Sequence, residues 1–124
     1  MPVAPVLFVD DDFISGLEIC AYLRDFGFKV VEAKCVGDAF EVINSQRRLT
    51  ALVTDINLGA GGNGLDIARR ARAVQPDLPV VFISGMAKAR HLTNRIVGSA
   101  LIAKPLHPQQ IVDALCAGIG REAA

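Results

Sequence analysis

Short apolar runs and longer, mixed segments take turns along this chain. The run VLFV (6–9) gives way to DDDFISGLEICAYLRDFG, which is long enough for a helix and ends on Gly27, a stop signal. FKVVEA (28–33) reads as a second strand, and VGDAFEVINSQ behind it places Val36, Phe40 and Ile43 at helical spacing. ALVT (51–54) is the third strand. LDIARRARAVQ then carries Ile67, Ala71 and Val74 on one face, and Pro76 ends that helix. PVVFIS (79–84) is a near-continuous apolar run, and KARHLTNRIV is a weaker helix closed by Gly98. ALIA (100–103) is the fifth strand. HPQQIVDALCAGIG opens with Pro108 in a favourable first-turn position and repeats Ile111, Leu115 and Ile119, then Val112 and Cys116.

Five strand–helix units follow from this pattern. Strands apolar on both faces belong to parallel sheets covered by helices, so the chain predicts an open α/β sheet with right-handed crossovers. Its 124 residues suit one compact domain, and 52% hydrophobic residues against 21% charged ones support a sizeable core. Thirteen Lys plus Arg balance thirteen Asp plus Glu, which argues against a general nucleic-acid binder. No apolar run reaches membrane-spanning length, and the acids right after the first strand argue against a signal peptide. Cys20, Cys35 and Cys116 form no metal or redox motif and read as small buried thiols in a reducing cytoplasm.

In open α/β sheets, ligands bind beyond the carboxyl ends of the strands. Those ends are where this sequence places its unusual residues. Asp10, Asp11 and Asp12 follow strand one, Asp55 follows strand three, Ser84 ends strand four, and Lys104 with Pro105 ends strand five. Strand two ends in an ordinary EAK. Carboxylates brought together repel, by about 4 kcal/mol for a pair at 4 Å in an effective dielectric near 20. A divalent cation relieves this, and a small all-oxygen ligand set favours Mg²⁺. Lys104 supplies a point charge and Ser84 a hydroxyl donor, which completes a phosphate-shaped site. Asp55 is then a candidate phosphoryl acceptor attacking in line. Each piece also has a plain structural use: acids before a helix cap it, and Asp55 before a glycine-rich loop is an ordinary turn residue.

The pieces VLFVDDD, LVTDINL, PVVFISG and LIAKPL, in this order, resemble the response-regulator receiver domain of two-component signalling, across essentially the whole chain. The resemblance implies a flavodoxin-like (βα)5 fold with a five-stranded parallel sheet of order 2-1-3-4-5. It implies that Asp55 accepts phosphate from a phosphohistidine on a histidine kinase or histidine phosphotransfer protein. Asp11 would ligate Mg²⁺ directly, Asp10 would assist through water, and the backbone carbonyl of Asn57 would complete the protein ligands. Lys104 would pair with a phosphoryl oxygen, and Ser84 would swing toward the phosphoryl group. Asp12 matches no ligand position and reads as a helix cap.

Several positions depart from the family pattern. Leu58 and Gly59 stand where Met-Pro is frequent, the loop GAGGNG is about one residue longer than usual, and Leu101 stands where the switch aromatic usually sits. Asn57 and Met86 fall where the family tunes acyl-phosphate lifetime. The last helix ends at GREAA, so the chain reads as a single receiver domain over 1–124 with no output domain, acting in the cytoplasm through a downstream protein target, without direct nucleic-acid or membrane contact. Its only catalysis would be its own aspartyl phosphorylation and dephosphorylation. Phe13, Ile14, Leu17, Ile19, Cys20, Tyr22 and Leu23 give the first helix more apolar surface than one core stripe needs, which suits either a docking patch for a helical kinase partner or a two-sided core. His91 and His107 read as surface or capping residues, and the arginines at 69, 70 and 72 as a solvated face. Two alternatives stay open: a receiver-shaped interaction module that signals without phosphate, and a small-molecule phosphatase. Against the phosphatase, Asp55 lacks a second acid two residues away, and no cap or specificity insert is present.

Overall fold

The structure, a computed structural model, describes residues 4–45, 47–58, 63–85 and 89–123. Among these, strands and helices alternate: β1 (Val6–Val9), α1 (Phe13–Asp25), β2 (Val30–Ala33), α2 (Val36–Asn44), β3 (Ala51–Asp55), α3 (Gly64–Val74), β4 (Val80–Ser84), α4 (Ala89–Thr93), β5 (Ala100–Ala103) and α5 (Pro108–Ala123). The strands form one sheet of order β2-β1-β3-β4-β5, every neighbouring pair parallel. This is the flavodoxin-like fold expected from the sequence. Among the described residues, no helix is long and apolar enough to cross a membrane.

Strand residues alternate between two cores because successive side chains point to opposite faces. Leu7, Val9, Leu52, Val80 and Phe82 face one way and pack with α2 and α3 residues such as Ile43, Ile67 and Ala71. Val6, Phe8, Val53, Val81 and Ile83 face the other way and pack with Ile19, Leu23, Ile111 and Leu115 of α1 and α5. Phe8 and Phe82, one on each side, are fully buried and contribute about 1.5–3 kcal/mol each. The near-continuous apolar runs are thus the signature of a sheet covered on both faces.

Several helical readings are corrected by the packing. Val74 is 43% exposed, and the buried face of α3 is Leu65, Ile67, Ala68 and Ala71. The weak helix at 88–97 is only five residues long as α4. After Asn94 the backbone bonds shift from the i−4 to the i−3 carbonyl, with Ile96 N–H donating to Thr93 O at 2.9 Å. Ser99 Oγ donates to the same carbonyl at 3.1 Å, and Gly98 turns away at φ 73°. Cys20 alone of the three cysteines is buried; Cys35 and Cys116 are exposed and free. Cys35 is the N-cap of α2 and accepts from Asp38 N–H at 3.5 Å, while Cys116 lies on the outer face of α5. Burial pushes the Cys20 thiol up to about 12, with the nearby Glu32 charge adding to it.

Candidate functional site

Register brings the sequence-distant polar residues to one edge. Val9 pairs with Thr54, so Asp10 emerges beside Asp55; Asp55 pairs with Ile83, one residue before Ser84; and Ser84 pairs with Ala103, one residue before Lys104. Backbone bonds hold this rim: Asp10 N–H to Ala33 O at 3.2 Å, Ile56 N–H to Ile83 O at 3.1 Å, and Lys104 N–H to Ser84 O at 2.9 Å. The peptide bond from Lys104 to Pro105 is cis.

The carboxylates of Asp10, Asp11 and Asp55 each offer an oxygen such that all three lie within 4.8 Å of one another. Asp10 and Asp55 are buried, at 2% and 5% exposure, while Asp11 is exposed. Asp10 Oδ1 accepts Asp12 N–H at 2.9 Å. Asp55 Oδ1 accepts Asn57 N–H at 3.2 Å, and Asp55 Oδ2 accepts the Lys104 Nζ at 2.5 Å. Burial pushes the Asp10 carboxyl above its ordinary range; the Asp12 N–H and the Lys104 charge pull the other way, and the charges of Asp55 and Asp11 add to the rise. Burial works against the Lys104 ammonium, but its bond to Asp55 and the charges of Asp55 and Asp10 outweigh that, so its pKa is raised.

An all-oxygen cluster of this size, with two desolvated acids and one facing solvent, fits a small hard cation such as Mg²⁺. The Asn57 carbonyl fits the same set. Asn57 and Asn63 form an antiparallel bridge in which the ladder bond runs between flanking residues, Gly64 N–H to Ile56 O at 2.9 Å. A pair of that type leaves its own carbonyls outside the ladder. Among the described residues, no donor reaches the Asn57 carbonyl. Ser84 is buried, at 2% exposure, at the tip of β4.

Other expectations resolve individually. Asp12 is the N-cap of α1, accepting from Ile14 and Ser15 N–H and from Ser15 Oγ. These bonds, led by the Ser15 hydroxyl, lower its pKa. His107 caps α5, its Nδ1 accepting Gln109 N–H at 3.0 Å, and His91 is exposed. Arg69 meets Asp66 and Arg70 meets Asn44 at the surface. Arg72 departs from the solvated-face reading: it is half-buried and donates to the carbonyls of Leu78 and Val97. On α1, Ile19, Cys20 and Leu23 are buried, but Ile14 and Leu17 are 70% and 50% exposed. Leu101 packs against the α2–α3 side of the sheet. The Phe13 side chain, Gly59, most of the GAGGNG loop and Met86 lie outside the described residues.

One residue at the site escaped the sequence reading. Gly64, taken there as loop, is the first residue of α3 and presses on the phospho-acceptor candidate's own backbone: a Cβ placed on it would lie 2.3 Å from Asp55 O. The available signal was Asn63-Gly-Leu-Asp66, a polar residue followed three positions later by an acid, which is a capping-box pattern.

Comparison with known proteins agrees with this geometry. The family profile of the response regulator receiver domain matches residues 6–116. A response regulator receiver protein from Sinorhizobium medicae WSM419 is 30% identical, superposes with a TM-score of 0.89, and is aligned over 95% of either chain. A CheY-like receiver domain protein from Methanospirillum hungatei JF-1 shares 19% identity at a TM-score of 0.88 over 98% of either chain. A Burkholderia pseudomallei response regulator, solved with a phosphorylated aspartic acid, calcium ion and citrate, shares 21% identity at a TM-score of 0.80, over 97% of this chain and 71% of that one. No curated protein sequence matches. A profile match over nearly the full length, on a sheet of the same order, leaves one assignment: the chain belongs to the response regulator receiver domain family.

Proposed function

We propose that this receiver accepts a phosphoryl group on Asp55 from a phosphohistidine on a histidine kinase or phosphotransfer protein, and so switches its contacts with a downstream protein in the cytoplasm. One observation carries the reading: three carboxylates share a 4.8 Å cluster while an amine sits 2.5 Å from the one at the tip of β3. Asp11 would hold Mg²⁺ directly, Asp10 through water, with Asp55 and the Asn57 carbonyl completing the set. Bound there, the cation would supply positive charge to the phosphoryl oxygens. An Asp55 oxygen forms the new bond to phosphorus as the phosphorus–nitrogen bond of the donor breaks and its imidazole nitrogen keeps the electron pair. Lys104, already charged against Asp55, passes to a phosphoryl oxygen. Ser84 donates its hydroxyl to another, and that movement starts the switch. With Leu101 in place of an aromatic, the switch cannot run through inward rotation of a phenol ring.

A groove of about 440 Å³ lies between α1 and the β5–α5 connection, lined by Asp10, Glu18, Ile19, Lys104, Pro105 and Leu106, and Ile14 and Leu17 are exposed elsewhere on α1. A groove with apolar walls that reaches Asp10 and Lys104 suits a helical partner that must bring its histidine within bonding distance of Asp55. The test is mass spectrometry after incubation with a small-molecule phosphodonor and Mg²⁺. The wild-type chain should gain one phosphate and Asp55→Ala none. An unmodified wild type, or an equally modified Asp55→Ala, sinks the proposal.

A further inference from the structure

We infer that Asn63 and Gly64, the cap and first residue of α3, are positioning residues that set how tightly the acidic rim holds its cation; the inference rests on the proposed Mg²⁺-dependent reading of that rim. Gly64 is there for room, since its φ lies outside the left-handed region. A Cβ at this position would meet Asp55 O at 2.3 Å and both Asp55 C and Ile56 Cα at 3.1 Å. All three are backbone atoms, so no side-chain rotation can clear them. Only a bare Cα lets the helix start seat against the end of β3.

That seat is locked from both sides. Gly64 N–H donates to Ile56 O at 2.9 Å, and Asn63 bridges Asn57. Asn63 Oδ1 accepts Leu65 and Asp66 N–H at 2.9 and 3.2 Å, and Asp66 Oδ2 accepts Asn63 N–H at 3.1 Å. The capping box fixes Asn63, Asn63 fixes Asn57, and Gly64 fixes Asp55. Two of the proposed metal ligands, the Asp55 carboxylate and the Asn57 carbonyl, therefore ride on backbone that the α3 start grips. Groups that orient metal ligands typically change metal affinity roughly ten- to hundredfold when removed.

The test titrates the full chain with MgCl₂ alone by calorimetry and records thermal stability in chelator alongside. Gly64→Ala should weaken Mg²⁺ binding roughly ten- to hundredfold. Asn63→Ala should weaken it about tenfold, and Asn63→Ser, which keeps a capping oxygen, should restore most of the loss. Gly118→Ala is the control: its Cβ would meet Pro79 Cβ at 3.0 Å at the far end of the sheet, so whatever it does to thermal stability it should not move Mg²⁺ affinity. Should Gly64→Ala fail to fold, the Asn63 pair decides. Wild-type binding with unchanged affinity in Gly64→Ala, or Asn63→Ser as weak as Asn63→Ala, overturns the inference alone. A wild type that takes up no Mg²⁺ overturns it together with the function proposed above.

Discussion

The two ends of this sheet are built from the same strands and solve opposite problems. At the amino end, polar groups meet neutral backbone partners. Thr50 N–H donates to Pro5 O at 2.8 Å and Leu52 N–H to Pro79 O at 2.9 Å. The Gln75 amide takes Leu49 N–H at 3.0 Å and returns a bond to Leu49 O at 2.9 Å, imitating a strand partner. Arg72 closes the α3–β4 and α4–β5 connections through carbonyls at 2.8 and 2.7 Å. At the carboxyl end three acids cluster, one of them, Asp55, meets a lysine, and burial pushes the Asp10 carboxyl up. One end is rigid through local satisfaction. The other gathers more acid than base, which costs stability that a bound cation would offset.

The largest effect should therefore come from the ion at the carboxyl end. Mg²⁺ at about a hundred times its dissociation constant should raise unfolding free energy by about 2.7 kcal/mol, read from chemical denaturation with and without chelator. Asp11→Ala should abolish most of that gain. An equal gain in Asp11→Ala would break the contrast between the two ends. Next in size, Gln75→Ala leaves the buried Leu49 amide and carbonyl unmatched and should cost about 2 kcal/mol. It should leave the Mg²⁺-dependent gain intact; a Gln75 variant that also lost this gain would show that the ends are coupled.

How far the sequence revealed this contrast depended on what kind of force fixed each part. The strands were legible because two-sided burial writes continuous apolar runs, and β1 and β5 fall at 6–9 and 100–103 as read. Asp10, Asp55, Ser84 and Lys104 were legible because each sits at a strand tip, and parallel topology collects such tips. The short α4 was not, because its end is set by a switch in hydrogen-bond partners at Thr93 that no side-chain period encodes. Arg72 looked like one more surface arginine, since its partners are carbonyls contributed by two remote loops. Gly64 was hidden for a similar reason. What demands it is the proximity of Asp55's backbone, nine positions back, and a glycine chosen for space looks no different in sequence from one chosen for a turn.

The smallest effect sharpens the comparison most, because its sign is opposite to that of an ordinary buried substitution. Asp10→Asn keeps an oxygen to accept Asp12 N–H and removes a desolvated charge from the acidic cluster. Without metal it should stabilise the protein at neutral pH, by less than either effect above. The pH dependence follows from the direction of the shift. The folded Asp10 carboxyl is raised above its ordinary 3.8, so the stability associated with its protonated form is fully present below 3.8 and is lost as pH rises through the raised value. Asparagine resembles the protonated acid at every pH. The advantage of Asp10→Asn should thus be full at neutral pH and vanish below about 3.8, and saturating Mg²⁺ should shrink or reverse it by favouring the wild-type carboxylate. Urea unfolding of both proteins across that range, with chelator and then with Mg²⁺, measures it. A variant that is less stable than wild type at neutral pH in chelator would mean that the Asp10 charge is already compensated within the fold, and the rim would need no cation on its account.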